Sequence, residues 1–200
     1  LAERANELGG QLLLNRNIPG RREMVTAAAD LASNLRALNV NILLGKEVDK
    51  ELVKEMEPDV AILATGASPL LPEIPGIESQ RVVTAWDDLS GKAHVDEKVV
   101  ILGGNAVGLE TALYIADQGT LPPEVLHFLA ANRAESWETL ERLINRGNKH
   151  VTVVEMMKRP GQDIGSSTRW TVMMELRRLG VTILTGTKAV GIRAEGVEIE

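Results

Sequence analysis

Apolar positions along this chain change period several times, and the changes mark out its elements. Over residues 21–38, Met24, Val25, Ala28, Leu31, Leu35 and Leu38 recur every three or four positions, which predicts an amphipathic helix closed by Asn39. Apolar runs, interrupted only by Asn41, replace that period at residues 40–44 and 60–64, and each predicts a short strand. Between them a helix is expected over 51–57 with Leu52, Val53 and Met56 inward. Strand, helix and strand in alternation point to an α/β sheet.

The pattern breaks at residues 67–81. Pro69, Pro72 and Pro75 fall close together there, a density that stops both helices and interior strands, so a crossover between domains is expected. Beyond it, Thr84 is placed to cap a short helix over 85–89, with Asp87 and Asp88 in its first turn. Capping accounts for both acids; the sharper alternative is a catalytic carboxylate pair.

Residues 98–110 organise the rest. Val99, Val100, Ile101 and Leu102 form an uninterrupted apolar run that predicts a parallel strand buried on both faces. It enters Gly103-Gly104-Asn105-Ala106-Val107-Gly108, then a helix ending near Gln118. Strand, glycine turn and helix suit a dinucleotide: Gly103 permits the turn, Gly108 permits close helix–strand packing, and free N–H groups at the helix start attract a pyrophosphate. Asn105 stands where the pattern G-x-G-x-x-G has its second glycine, with Gly104 as partial compensation.

A second strand, 150–155, ends at Glu155. A carboxylate there is suited to accept the adenosine ribose hydroxyls, which favours NAD over NADP, whereas Lys158 and Arg159 just beyond would suit a 2′-phosphate. The usual gap from glycine motif to acid is about twenty residues. Here it is longer, and residues 119–149 supply the difference as an inserted helical hairpin, with Trp137, Leu140, Leu143 and Ile144 at helical spacing. A helix from Ser166 or Ser167 to Leu179, a strand over 181–184 and a hairpin over 188–199 turning at Glu195-Gly196 complete the chain.

Composition narrows the function. The 200 residues are 44% hydrophobic and 25% charged, with a net charge of −6, scattered basic residues and one Tyr and one Phe, so nothing favours nucleic acid. There is no cysteine, which excludes a disulfide framework, a thiol nucleophile, a C-x-x-C centre and an iron–sulfur cluster held by this chain. His94, His127 and His150 show no metal-ligand spacing. No apolar run is long enough to span a bilayer and no signal peptide is recognisable, so a cytoplasmic location is expected. The chain opens at Leu1 without Met and stops in a predicted strand, which reads as an excised piece of a longer polypeptide.

Four stretches stand in a familiar order: Leu8-Gly9-Gly10-Gln11, Ala64-Thr65-Gly66-Ala67-Ser68-Pro69, the glycine turn, and Val153-Val154-Glu155-Met156. With them, the chain resembles the pyridine nucleotide-dependent flavin reductase fold. More closely, Val83-Thr84-Ala85-Trp86-Asp87 and residues 163–170 are similar to the C-terminal part of the 2,4-dienoyl-CoA reductase, enoate reductase and trimethylamine dehydrogenase family.

The resemblance implies an α/β fold in which a Rossmann-like NAD(P)-binding domain, residues 82–200, is joined through the crossover to part of an FAD-binding domain, residues 1–66. It implies that Gly103, Gly104, Asn105, Ala106, Val107 and Gly108 border the NAD pyrophosphate, Glu155 the ribose and Glu110 the nicotinamide. Gly10 and Gln11 would lie along the flavin, and Thr65 and Gly66 where the chain leaves the FAD domain. FAD, and FMN with a 4Fe–4S cluster in an N-terminal barrel, belong to the parent enzyme, whose other domains are the expected partners; a homo-oligomer is compatible with it. The implied activity is hydride transfer from NADH to FAD, for reduction of an activated alkene, with no catalytic residue from this chain. The alternative left open is an interdomain scaffold that binds no nucleotide.

Overall fold

The computed structural model describes residues 1–200 and divides them into two units, Leu1–Pro69 and Leu70–Glu200. In the first, strand β1 (Ala2–Glu3) is followed by a 3-10 helix (Gly10–Arg16), helix α1 (Glu23–Ala37), strand β2 (Leu43–Leu44) and helix α2 (Lys50–Met56). β1 and β2 pair in parallel, Ala2 against Leu43 and Glu3 against Leu44. Helix α1 lies on the 3-10 helix and buries Ala28 and Ala32.

Three expectations are corrected in this unit. The run at 40–44 shortens to two paired residues. The run at 60–64 is not a strand, and Val60, Ile62 and Leu63 are 77–87% exposed. Both have the same cause: a strand exists only where a neighbour accepts its backbone hydrogen bonds, and β1 gives β2 two residues of pairing and 60–64 none. Leu31 and Leu38 of the α1 period, and Val53 and Met56 of α2, are likewise exposed, because the unit covers only the narrow Ala28–Ala32 stripe.

The second unit begins with α3 (Ala85–Leu89). Thr84 caps it, its hydroxyl accepting from Asp87 N at 3.1 Å and donating to Asp87 Oδ2 at 2.7 Å. β3 (Lys98–Leu102), α4 (Ala106–Asp117), α5 (Pro123–Ala131), α6 (Trp137–Asn145), β4 (His150–Glu155), α7 (Ser166–Arg178) and β5 (Thr182–Thr185) follow. The strands form a parallel sheet in the order β3-β4-β5, in continuous register from Lys98↔His150 to Leu102↔Val154 and from Thr152↔Thr182 to Glu155↔Thr185. β6 (Ala189–Ile192) and β7 (Val197–Ile199) pair antiparallel around Gly196.

Leu109, Ala112, Leu113 and Ala116 of α4 and Val172 and Leu176 of α7 meet Val151 and Val153 of β4 in one core, with Val99 and Ile101 packed against it. That packing fixes the amino end of α4 over the carboxyl ends of β3 and β4, where open α/β sheets bind ligands. β3 is not buried on both faces as its composition suggests: Val100, between Val99 and Ile101, is 42% exposed. The unbroken β-branched run therefore reflects strand propensity as much as burial.

Residues 119–149 hold two helices, α5 and α6. Ser136 caps α6, accepting from Thr139 N at 3.2 Å, and Leu140 is its buried anchor. Leu121 N donates to Leu143 O at 2.9 Å, closing the hairpin, and Arg178 Nη1 of α7 donates to Ile144 O at 2.7 Å, tying it to the domain. No helix is long and apolar enough to cross a membrane.

Candidate functional site

β3 runs directly into the turn. Gly103 N donates to Val154 O at 2.9 Å, extending the ladder one residue beyond the strand, and Gly103 then takes φ +100°, where a side chain would be strained. A Cβ on Gly108 would collide with the Gly103 carbonyl oxygen, so the close approach of helix to turn depends on the missing side chain.

Asn105 is the N-cap of α4. Its backbone is extended, φ −78°, and so does not draw on asparagine's tolerance for left-handed conformations; its Oδ1 accepts from Gly108 N at 3.0 Å. The residue that breaks the glycine pattern satisfies one of the helix's four orphan donors.

Two carboxylates take further backbone donors, Glu155 at the turn just before the cap and Asp163 on the helix itself. Glu155, at the end of β4, is 8% exposed; its Oε2 accepts from Gly104 N and its Oε1 from Met157 N, both at 2.6 Å. A ribose hydroxyl would have to use the remaining lone pair of either oxygen. Asp163 reaches the helix from the loop after β4, both oxygens accepting from Ala106 N, at 3.0 and 3.1 Å. Gly161 N donates to Gly104 O at 2.6 Å and holds the loop against the turn. Negative groups gather here because the helix amino end carries a partial positive charge, the property that makes such an end attractive to phosphate.

The structure thus brings Gly103, Gly104, Asn105, Ala106, Gly108 and Glu155 together. Val107 is exposed in the first turn of α4, and Glu110 lies further along the helix, half-buried. Lys158 and Arg159 are exposed on the loop that carries Asp163. In the first unit, Gln11 Nε2 donates to Ala67 O at 3.1 Å and lies against Gly66 (φ +74°), so Gln11 and Gly66 meet; Gly10 opens the 3-10 helix and Thr65 is exposed beside Gly66.

Two residues at or near these elements carry no sequence signal of their role. Asp163 is an ordinary acid in a loop, and only the fold puts it on α4. Asp88, read as a cap beside Asp87, is instead 4% exposed with Oδ2 unpartnered, and burial raises its pKa against the opposing charges of His94 and Lys149. Its charge acts on Tyr114 in the second half of α4, away from the glycine turn.

The turn's donor set fits the pyrophosphate of a dinucleotide: backbone N–H groups at a helix start, a glycine that admits the close approach, and open space above Gly103, where an added Cβ would meet nothing within 4 Å. FAD is different. Leu1–Pro69 has no strand–glycine turn–helix of this kind, and Gln11's amide is engaged within the chain, so these residues do not by themselves fit the flavin.

Known proteins give a consistent picture. The sequence model of the pyridine nucleotide-disulphide oxidoreductase family matches residues 12–200. A metal reductase of Desulforamulus reducens is 39% identical over 202 residues, spanning 99% of this chain and 30% of the relative. An NADH oxidase of Thermoanaerobacter brockii is 31% identical over 201 residues, spanning 98% and 26%. A 2-naphthoyl-CoA reductase, solved in complex with 2-naphthoyl-CoA, superimposes on the whole chain with a TM-score of 0.80 at 25% identity and is covered over 26% of its length. The chain therefore spans less than a third of the length of each of these relatives.

Proposed function

Because the chain belongs to the pyridine nucleotide-disulphide oxidoreductase family, we propose that it is the part of a flavin-dependent oxidoreductase that binds NAD(H) and presents it to FAD. The β3–Gly103–α4 turn carries this reading, since Gly108 is required bare by the Gly103 carbonyl and the helix amino end is aimed over the strand ends. Gly103, Gly104, Asn105, Ala106, Val107 and Gly108 border the pyrophosphate, Glu155 the adenosine ribose and Glu110 the nicotinamide. A carboxylate at 155 favours NAD(H) over NADP(H). The resemblance alone assigns Gly10, Gln11, Thr65 and Gly66 to the flavin side of residues 1–66, with 67–81 as the crossover, and assigns the groups that hold FAD, together with FMN and the 4Fe–4S cluster, to other parts of the parent enzyme.

When bound, the nicotinamide supplies the hydride. This chain's residues bind and orient: backbone donors fix the phosphates and the Val151–Leu176 core holds α4 rigid against β4. None of them is assigned a proton transfer or a nucleophilic attack. A reductase of an activated alkene, of the 2,4-dienoyl-CoA reductase or enoate reductase kind and cytoplasmic, is the parent activity we favour; the likeness to a 2-naphthoyl-CoA reductase supports an unsaturated acyl substrate.

One observation favours a second reading, a scaffold without nucleotide. Gly104 N, Ala106 N and Gly108 N already have partners from the chain itself. NADH fluorescence titration of the protein separates the two: saturable binding is expected, and no saturation up to about 1 mM would favour the scaffold.

A further inference from the structure

The amino end of α4 already holds an anion. Asp163 sets both carboxylate oxygens on a single donor, Ala106 N, at 3.0 and 3.1 Å. Ala106 is the first residue of the helix, so this N–H is one of those a bound phosphate would use. Asp163 is exposed. The two carboxylates at the turn thus differ in kind: Glu155 is buried and locked by two N–H groups from different segments, whereas Asp163 rests on one donor and faces solvent.

Resting on the nucleotide reading above, we propose that Asp163 is a built-in competitor for the pyrophosphate position, one that the incoming dinucleotide displaces and that sets its affinity. Two anions cannot share one N–H, and a carboxylate left beside a pyrophosphate repels it. Displacement is confined to a short stretch. Gly161 pins the loop to Gly104 O by its own N–H and Ile164 packs against the core, so rotation of the exposed Asp163 side chain between these anchors clears Ala106 N while the turn keeps its shape. Lys158 and Arg159, exposed on the same loop, leave a cationic flank when the acid swings away.

Apparent affinity falls by the fraction of molecules in which the cradle is open. If the carboxylate leaves it in roughly one molecule in ten, removing it tightens binding about tenfold. The test is calorimetric titration of the full protein and its Asp163→Asn and Asp163→Ala variants with NADH and, as a ligand without phosphate, adenosine; melting curves verify that each variant is folded. Asparagine keeps the shape and drops the charge, and alanine clears the position. Expected are NADH dissociation constants lowered about tenfold in Asp163→Ala and by a smaller factor in Asp163→Asn, with adenosine binding unchanged. NADH binding to the wild type that is unaltered or weakened in both variants would overturn the role of Asp163 and leave the nucleotide reading standing. No NADH binding by any of the three proteins would overturn both.

Discussion

Asp88 shows how much one side chain can cost. Its Oδ2 is buried without a partner between α3 and α4, a situation that costs about 1–3 kcal/mol. Burial, opposed by His94 and Lys149, raises its pKa, and burial together with the charge of Asp88 raises that of Tyr114. The folded chain therefore binds the Asp88 proton more tightly than the unfolded one. The stability this proton confers is complete below the unfolded pKa and is lost as pH rises through the folded one. Asp88→Asn is expected to raise the melting temperature at neutral pH and to flatten its decline above the ordinary carboxylate range; superimposable wild-type and variant melting curves at every pH would contradict this. Gly108 is the opposite case, a residue that matters for what it lacks. Gly108→Ala places a Cβ against the Gly103 carbonyl and is expected to destabilise the domain by about 1–3 kcal/mol, read by urea denaturation, and to weaken NADH binding.

At the scale of elements, legibility followed the partner each element needs. β4 was expected at residues 150–155 and forms there, because its alternate residues Val151 and Val153 enter a core that α4 and α7 complete. Helices α5 and α6 lie within the stretch whose period predicts them, since helices satisfy their own hydrogen bonds and need a neighbour only for an anchor such as Leu140. Residues 60–64 carry an equally apolar run and form nothing, because a strand borrows half its bonds from elsewhere. The strand, glycine turn and helix, and the strand that ends at Glu155, are legible in the apolar pattern, whereas the contact of Asp163 with Ala106 N is not: it depends on a loop folding back to α4. Two outcomes follow. Leu176→Ala, at a fully buried position between α7 and the sheet, is expected to cost about 2–5 kcal/mol in chemical denaturation. Ile62→Lys, in an exposed apolar run, is expected to leave the melting temperature unchanged within about 1 °C in thermal denaturation.

For the molecule as a whole, we propose that a strand, a bare-glycine turn and a helix hold the phosphates of NAD(H) within a larger redox enzyme. Family membership makes this the natural use of the fold, and the chain's own cap and carboxylates on the same donors make it open to direct refutation. The most direct measurement follows the backbone amide resonances of isotope-labelled protein during NADH addition. Saturable shifts of Gly104, Ala106, Val107 and Gly108 are expected, with those of the β6–β7 hairpin unmoved. Amide signals in the turn that stay in place up to about 1 mM NADH would contradict it.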